Sequence, residues 1–401
     1  MEVGFPPANT EAGQSLLYAP SARRALAGLC LSGLLASLLG AILPAWGYHL
    51  KFEFATVGHY FLSFAVGVLL SVEACRRLLP RRGVAFVLIL GCGLACGALV
   101  FLAFAPPPFP ALWRMGGLVV AGIAMGLLNG AIFQAISTIY RYDPASTLNL
   151  GGIVFGMGCL MITLLVAGTF NNYAVTSILI LAALVPALFT ALYASTRFQP
   201  AEISHQPTFQ EALRDFRSRG AVLLALLLFF QFGNEWSIAG WLTIFLIHRL
   251  GSSPEAALEI LASYWLALLL GRIAALAILR RVPHGRVLMS SAAAAMFGCI
   301  LLLSTNNQFG AVIGILMIGA GFGPIYPLVA EKIGHRFTYY HPGVFNGIFS
   351  FAMIGAMLAP WVLGYVADIW GVGVVMALPL IGTVMVFVLI LLIWLESKIG
   401  G

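Results

Sequence analysis

Charge is the scarcest thing in this chain. Of 401 residues only 9% are Asp, Glu, Lys or Arg, against 61% hydrophobic, and the mean hydropathy is +0.99. Soluble domains carry roughly a quarter of their residues charged, so a water-soluble globule is excluded. The short alternating segments of a membrane β-barrel are missing too, because apolar windows of about 20 residues recur along the whole length. There is no HExxH, no G-x-S-x-G and no pair of acids inside an apolar run, so hydrolysis within the membrane has no catalytic set and no enzyme is expected. The six cysteines (Cys30, Cys75, Cys92, Cys96, Cys159 and Cys299) all sit in apolar surroundings. Cys92 and Cys96 share a helix face, but no His or carboxylate stands near them, so they read as small packing residues; no metal and no cofactor is expected. No N-x-S/T sequence occurs. No short signal h-region opens the chain either: residues 1–22 form a polar tail, and the first apolar run is too long for one.

What is present is a succession of spans, near 23–47, 55–75, 83–105, 112–139, 148–170, 173–195, 220–247, 256–279, 287–305, 309–331, 343–367 and 372–395. The expected fold is therefore all-α and membrane-embedded, with about twelve transmembrane helices. The net charge of +7 needs no nucleic acid. With the N-terminus inside, 17 of the 21 Lys and Arg residues fall on inner segments, and only Lys51, Arg114 and Arg249 on outer ones. That bias predicts N-in and C-in. The longest hydrophilic stretch, 196–219, is charged with both signs and divides the spans six and six. Around Phe209–Phe216 it has the pattern of a short amphipathic surface helix. The expected organisation is a tail (1–22), one six-helix bundle (23–195), a cytoplasmic linker (196–219) and a second bundle (220–401).

The halves carry a weak internal repeat. Gly67 lies nine positions ahead of Arg76-Arg77, and Gly271 nine ahead of Arg280-Arg281, each pair followed by a proline (Pro80, Pro283). Asn149 opens span 5 and Asn346 opens span 11, each ahead of a Gly/Phe stretch. Parallel repeats around a central site are a transporter architecture. The Gly122, Gly126, Gly130 row and the Gly152/Gly156 pair read as close helix packing.

Polar residues inside the spans are few enough to weigh singly. The stretch Gln231-Phe232-Gly233-Asn234-Glu235-Trp236-Ser237-Ile238-Ala239-Gly240-Trp241 holds the one carboxylate that reads as deep in the membrane. An ionisable group there is costly, which makes Glu235 a functional candidate against the bland alternative of a structural pair. Gln231 is one turn earlier on the same face, while Asn234 and Trp241 share another. Carboxylate, amides and an aromatic plane suit a polyol. Asn129 is the cavity candidate of span 4, with Gln134 an interhelical partner. On span 8, Trp265 and Arg272 share a face beside Tyr264, and Arg272 reads as structural or gating, as do Arg76 and Arg280. Tyr326 lies in Gly321-Phe-Gly-Pro-Ile-Tyr-Pro327, where glycine and proline predict a broken span facing a cavity. Glu73 and Glu331 are expected to pair with loop arginines, and His59 and Tyr60 to be interfacial anchors.

With these segments in view the chain resembles the major facilitator superfamily, and within it the fucose permease and sugar symporter branch with its glucose-transporter relatives. The residues that carry this are Ser146–Gly158 in span 5, Gly233–Trp241 in span 7, Tyr264–Arg272 in span 8, Gly323–Pro327 in span 10 and Gly355–Asp368 in span 11. The resemblance implies alternating access at a central site between two pseudo-symmetric six-helix bundles. Fucose permeases use a carboxylate in span 1 and another in span 4 for proton coupling. Here span 1 has none and span 4 offers Asn129, so any coupling falls to Glu235.

The expected function is transport of a small polar solute, a monosaccharide, by secondary active transport or facilitated diffusion. Candidate substrate contacts are Glu235, Gln231, Asn234, Trp241, Asn129, Trp265, Tyr326, Asn149 and Asn346. The partners are the solute, H+ or Na+ as coupling ion, and the lipid bilayer, with no nucleic acid and the chain a monomer. The place is the plasma membrane, the inner membrane in a bacterium. The competing reading is an exporter of amphipathic drugs or lipids, which the aromatic content of 12% also fits.

Overall fold

The structure is a computed structural model that describes residues 20–50, 53–137, 144–198, 218–279, 281–336 and 346–399. The side chains at 144–146, 276, 334–336, 346, 347, 350 and 397–399 lie outside that description. Among the described residues the regular structure is helical. The helices are α1 (Pro20–Ala45), α2 (Phe54–Ala103), α3 (Ala111–Ala135), α4 (Pro144–Thr169), α5 (Val175–Ala194), α6 (Arg219–Leu250), α7 (Pro254–Ile278), α8 (His284–Ser304), α9 (Gln308–Arg336), α10 (Asn346–Trp370) and α11 (Ala377–Ile399). A single 3-10 turn, Val372–Val374, precedes α11. Among the described residues eleven helices are long and apolar enough to cross a membrane.

The spans expected at 55–75 and 83–105 are joined in α2, which runs for 50 residues. At 1.5 Å per residue it would be about 75 Å long, far more than a hydrocarbon core of about 30 Å. The break comes at Gly83, with φ 79° and ψ 171°. That backbone conformation is open to glycine and strained for other residues. A Cβ at Gly83 would meet nothing within 4 Å, so conformation and not crowding explains the glycine. The linker 196–219 and its expected surface helix lie mostly outside the described residues.

The packing repeats between the two halves of the chain. α1 packs on α4 as α6 packs on α10, and α3 packs on α2 as α9 packs on α7 and α8. α5 packs on α2 as α11 packs on α8. The glycine row of α3 does what its spacing predicts: Cβ atoms at Gly122, Gly126 and Gly130 would collide with Phe64, Ser71 and Cys75 on the first arm of α2. Between the halves, α2 meets α10, α4 meets α7 and α9, and α1 meets α6.

Two expectations fail here. α9 is not broken at Pro324 and Pro327 but runs unbroken as a helix from Gln308 to Arg336. A proline removes one intrahelical bond and frees the carbonyl four residues earlier. For Pro327 that carbonyl is Gly323, and Arg272 Nε donates to it at 3.2 Å. The neighbouring helix thus supplies the donor missing at Pro327. Tyr60 is not an interfacial anchor either, because it is fully buried. Its hydroxyl accepts from Arg114 Nε at 2.8 Å and shares a hydrogen bond with Tyr48. Arg114 is itself 3% exposed and not a loop charge. It donates also to Tyr48 and to the carbonyls of Ala105 and Phe109, and its guanidinium lies over the Trp46 ring.

Candidate functional site

α6 is the helix around which the two halves meet. It contacts α1 from the first half and α7, α9, α10 and α11 from the second. Glu235 lies sixteen residues from Arg219, about 24 Å along the axis and so near mid-membrane. The carboxylate is buried at 9% exposure. Gln231 is one helical turn away, and its Nε2 donates to Glu235 Oε1 at 2.8 Å. Among the described residues no basic group comes within ion-pair distance of Glu235, although Arg272 is close enough to act on it electrostatically.

Three further hydrogen-bonding atoms, one on Gln231 itself and two on α7, which packs against α6, are buried without a partner: Gln231 Oε1, the Tyr264 hydroxyl and Trp265 Nε1. Tyr264 feels the Glu235 charge, and its ring lies 5.1 Å from that of Trp265. Buried polar groups are nearly always satisfied, so a cluster left open asks for water or a ligand to fill it. Taken together, the open positions are two donors and one acceptor beside a carboxylate.

An aromatic wall adjoins the polar cluster. The Trp236 ring stands 6.5 Å from Trp265 and 6.3 Å from Phe155 of α4. Trp236 also lines a narrow cleft between the halves, together with Phe61, Phe64, Met125, Met353 and Met357. Its volume is about 50 Å³, room for a few waters and too little for a sugar.

Both ends of the seam carry close contacts. At the arginine-poor end, Phe54 N donates to Asp368 Oδ1 at 3.2 Å, and His59 Nε2 and the Tyr365 hydroxyl are 3.0 Å apart. Thr243 donates to the Gly40 carbonyl, and a Cβ at Gly40 would overlap the Ala239 carbonyl. A Cβ at Gly58 would lie 2.7 Å from the Trp361 carbonyl oxygen. Nearer the arginine-rich end, Arg272 extends from the Gly323 carbonyl to the place where a side chain at Gly152 would be, and Leu269 fits against Gly156.

The predicted site residues divide. Glu235 and Gln231 come together, and Trp265 stands against Trp236, the next residue on α6. Asn149 is buried on α4, one turn from the Gly152–Arg272 contact. Asn129 is one turn beyond the cleft residue Met125 and has a buried, unpartnered Oδ1. Tyr326 packs at a tilt against Phe232 and Phe349, with ring centroids at 5.2 and 6.1 Å. Asn234 faces away: its Nδ2 donates to Thr383 of α11 at 3.3 Å, over Gly382. Trp241 also turns aside, fully buried, with Nε1 donating to the Pro360 carbonyl at 2.9 Å. Asn346 begins α10, but its side chain lies outside the described residues, as does the whole of Arg280. Arg76 and Arg77 pair with Glu73, as expected of that glutamate, and Glu331 meets His284 at 3.2 Å.

The cleft residues were missed. Phe61, Phe64, Ala65 and Val68 form one helical stripe, and Met353, Ala356, Met357 and Pro360 another. That spacing marks a helix face, but in so apolar a chain it does not tell a cleft from lipid.

Comparison with known proteins places this arrangement. A family model described as Major Facilitator Superfamily matches residues 26–353. An uncharacterized MFS-type transporter of Yersinia pestis is 23% identical over 322 residues, covering 79% of this chain and 80% of the relative. A glucose/galactose transporter of Brucella abortus is 25% identical over 355 residues, covering 82% and 81%. Among solved structures, the fucose:proton symporter FucP of E. coli superposes with TM-score 0.63 at 16% identity, covering 94% of this chain and 99% of that one. The nucleoside transporter NupG superposes with TM-score 0.69 at 14% identity, covering 92% and 99%. At these identities the two structures speak for the fold alone.

Proposed function

The chain belongs to the major facilitator superfamily, and from that premise we propose that it carries a small polar solute, a monosaccharide, across the membrane by alternating access. It is a multi-pass integral protein of the plasma membrane and not an enzyme. In this reading the two arms of α2 are separate spans, making twelve. The arginine-rich ends of the helices, with both termini, face the cytoplasm. The bundles comprise 23–195 and 220–401, joined by the linker 196–219.

One observation carries the reading: a membrane-buried carboxylate, Glu235, stands among unpartnered donors and acceptors beside an aromatic wall. A sugar would fill those positions with its hydroxyls and lay its C–H face on Trp236. The residues assigned to it are Glu235, Gln231, Tyr264, Trp265 and Asn129, with Asn149 and Tyr326 at the margin. Glu235 is also the coupling group, accepting H+ or lying beside Na+, while Arg272 is the gating cation within its electrostatic reach. The glucose/galactose transporter among the relatives supports a sugar.

The test is uptake of a labelled hexose panel by proteoliposomes, with and without Na+ and a pH gradient. The reading expects one or more hexoses to enter, faster with one gradient. Failure of every hexose to enter overturns it. The cleft's lining of Met125, Met353 and Met357 with Phe61, Phe64 and Trp236 favours a second reading, export of an amphipathic compound. Flexible thioethers and aromatics accept varied apolar shapes. Resistance to a toxic amphiphile on expression, without hexose flux, selects that reading.

A further inference from the structure

Away from the seam, α8 and α9 enclose an open groove of about 530 Å³ on the lipid-facing side. The two backbones touch along a seam of small residues, since Cβ atoms at Gly298 and Gly321 would each lie 2.6 Å from a carbonyl oxygen of the other helix. Beside that seam the floor of the groove is small, with Ser290, Ala294 and Ala320, and Leu316 stands over it partly exposed. On α9 the lining runs from Ile313 to Gly321, about 12 Å along the axis. The trough is open along its side.

The charge at its mouth is specific. Arg286, Ser290 and Ala294 are spaced four apart, so Arg286 continues the floor of the groove one turn further, about 6 Å. α8 has 21 residues, about 32 Å, close to the hydrocarbon thickness. Arg286 is its third residue and therefore sits at headgroup level. Arg286 and Arg281 are both exposed, and neither has an ion pair among the described residues. The other charged groups nearby are His284 and, on α9, Glu331 and Lys332. The one carboxylate of the set, Glu331, is engaged by His284 at 3.2 Å. An apolar trough thus ends under the uncompensated guanidinium of Arg286, with a second unpaired arginine, Arg281, in the turn that leads into α8.

We propose that this groove is a binding site for an anionic phospholipid. One acyl chain lies over Ser290, Ala294 and Ala320, and the phosphodiester sits against Arg286 and Arg281, which bind phosphate in a bidentate way. Charge complementarity at the mouth selects the anionic lipid over a zwitterionic one, whose own ammonium group would face the same cations. The proposal does not rest on the transport reading, and the failure of either leaves the other standing.

Native mass spectrometry of the detergent-solubilised full chain, titrated with phosphatidylglycerol or phosphatidylcholine of the same acyl chains, tests it. The expected result is one phosphatidylglycerol retained about tenfold more tightly than phosphatidylcholine. In the double variant Arg281→Gln/Arg286→Gln that preference disappears. In Ala294→Phe, which fills the trough, retention of the first phosphatidylglycerol falls while the arginines remain. Equal retention of the two lipids by the unaltered protein overturns the proposal, as does a preference that survives in the double variant. Should Ala294→Phe fail to fold, the arginine variant, exposed at the helix end, still decides.

Discussion

Gly40 offers a way to move the conformational equilibrium without touching any group that binds a solute. It lies on α1, and the atoms nearest a Cβ built there are the Ala239 carbonyl oxygen and carbon and Gly240 Cα. All three are backbone atoms of α6, so no flexible side chain can give way. In Gly40→Ala the helices must separate, at the cost of about 1–3 kcal/mol typical of overpacking. The cost falls only on the conformation in which the arginine-poor end is closed, and it therefore shifts the closed-to-open ratio by about 5–150-fold. Spin labels at Leu50 and Ile369, exposed residues on the two halves at that end, read the ratio as a distance distribution. A longer component should appear or grow in Gly40→Ala. It should not in Gly93→Ala, where a Cβ meets nothing within 4 Å. An unchanged distribution with intact thermal stability would refute the argument that this contact seals the seam.

Other consequences follow from groups left open or fully used. Tyr264→Phe removes a buried hydroxyl that has no protein partner, so the melting temperature should hold or rise while the half-saturating solute concentration rises about three- to tenfold; a lowered melting temperature with unchanged uptake would show that the hydroxyl is structural. Arg114→Met deserts two tyrosine hydroxyls and two carbonyls at once, and should cost about 2–4 kcal/mol, seen as a clearly lower melting temperature in detergent. Stability within error of the parent would mean that this buried arginine is not holding the end of the first half together.

How far the sequence could be read depended on contrast with a uniformly apolar background. The spans, the charge bias and the paired Gly-to-Arg-Arg spacings stood out because each breaks that background. Glu235 and Gln231 stood out for the same reason and do meet. Asn234 and Trp241 looked equally suitable, yet a helix buried on every side presents polar groups to each of its neighbours, and theirs are Thr383 and Pro360. The sequence has no mark that separates a polar residue facing a cleft from one facing another helix. The expected break in α9 failed because Pro327's lost bond is compensated from Arg272 on a different helix, a contact with no trace in local sequence. The cleft lining was unreadable because Met and Phe on a membrane helix serve lipid and cavity alike. Gly83 shows the reverse case: the break it makes in α2 falls where the second and third apolar runs part.

The central claim is that Glu235 stands on the transport path and couples it. The most direct measurement is made on Glu235→Gln in proteoliposomes, using a hexose that the unaltered protein accumulates. Gradient-driven accumulation and solute exchange at equal concentrations are followed side by side. Glutamine keeps the size and the hydrogen bonding but cannot carry the charge. The account predicts that accumulation is lost while exchange persists; accumulation at the level of the unaltered protein would contradict it.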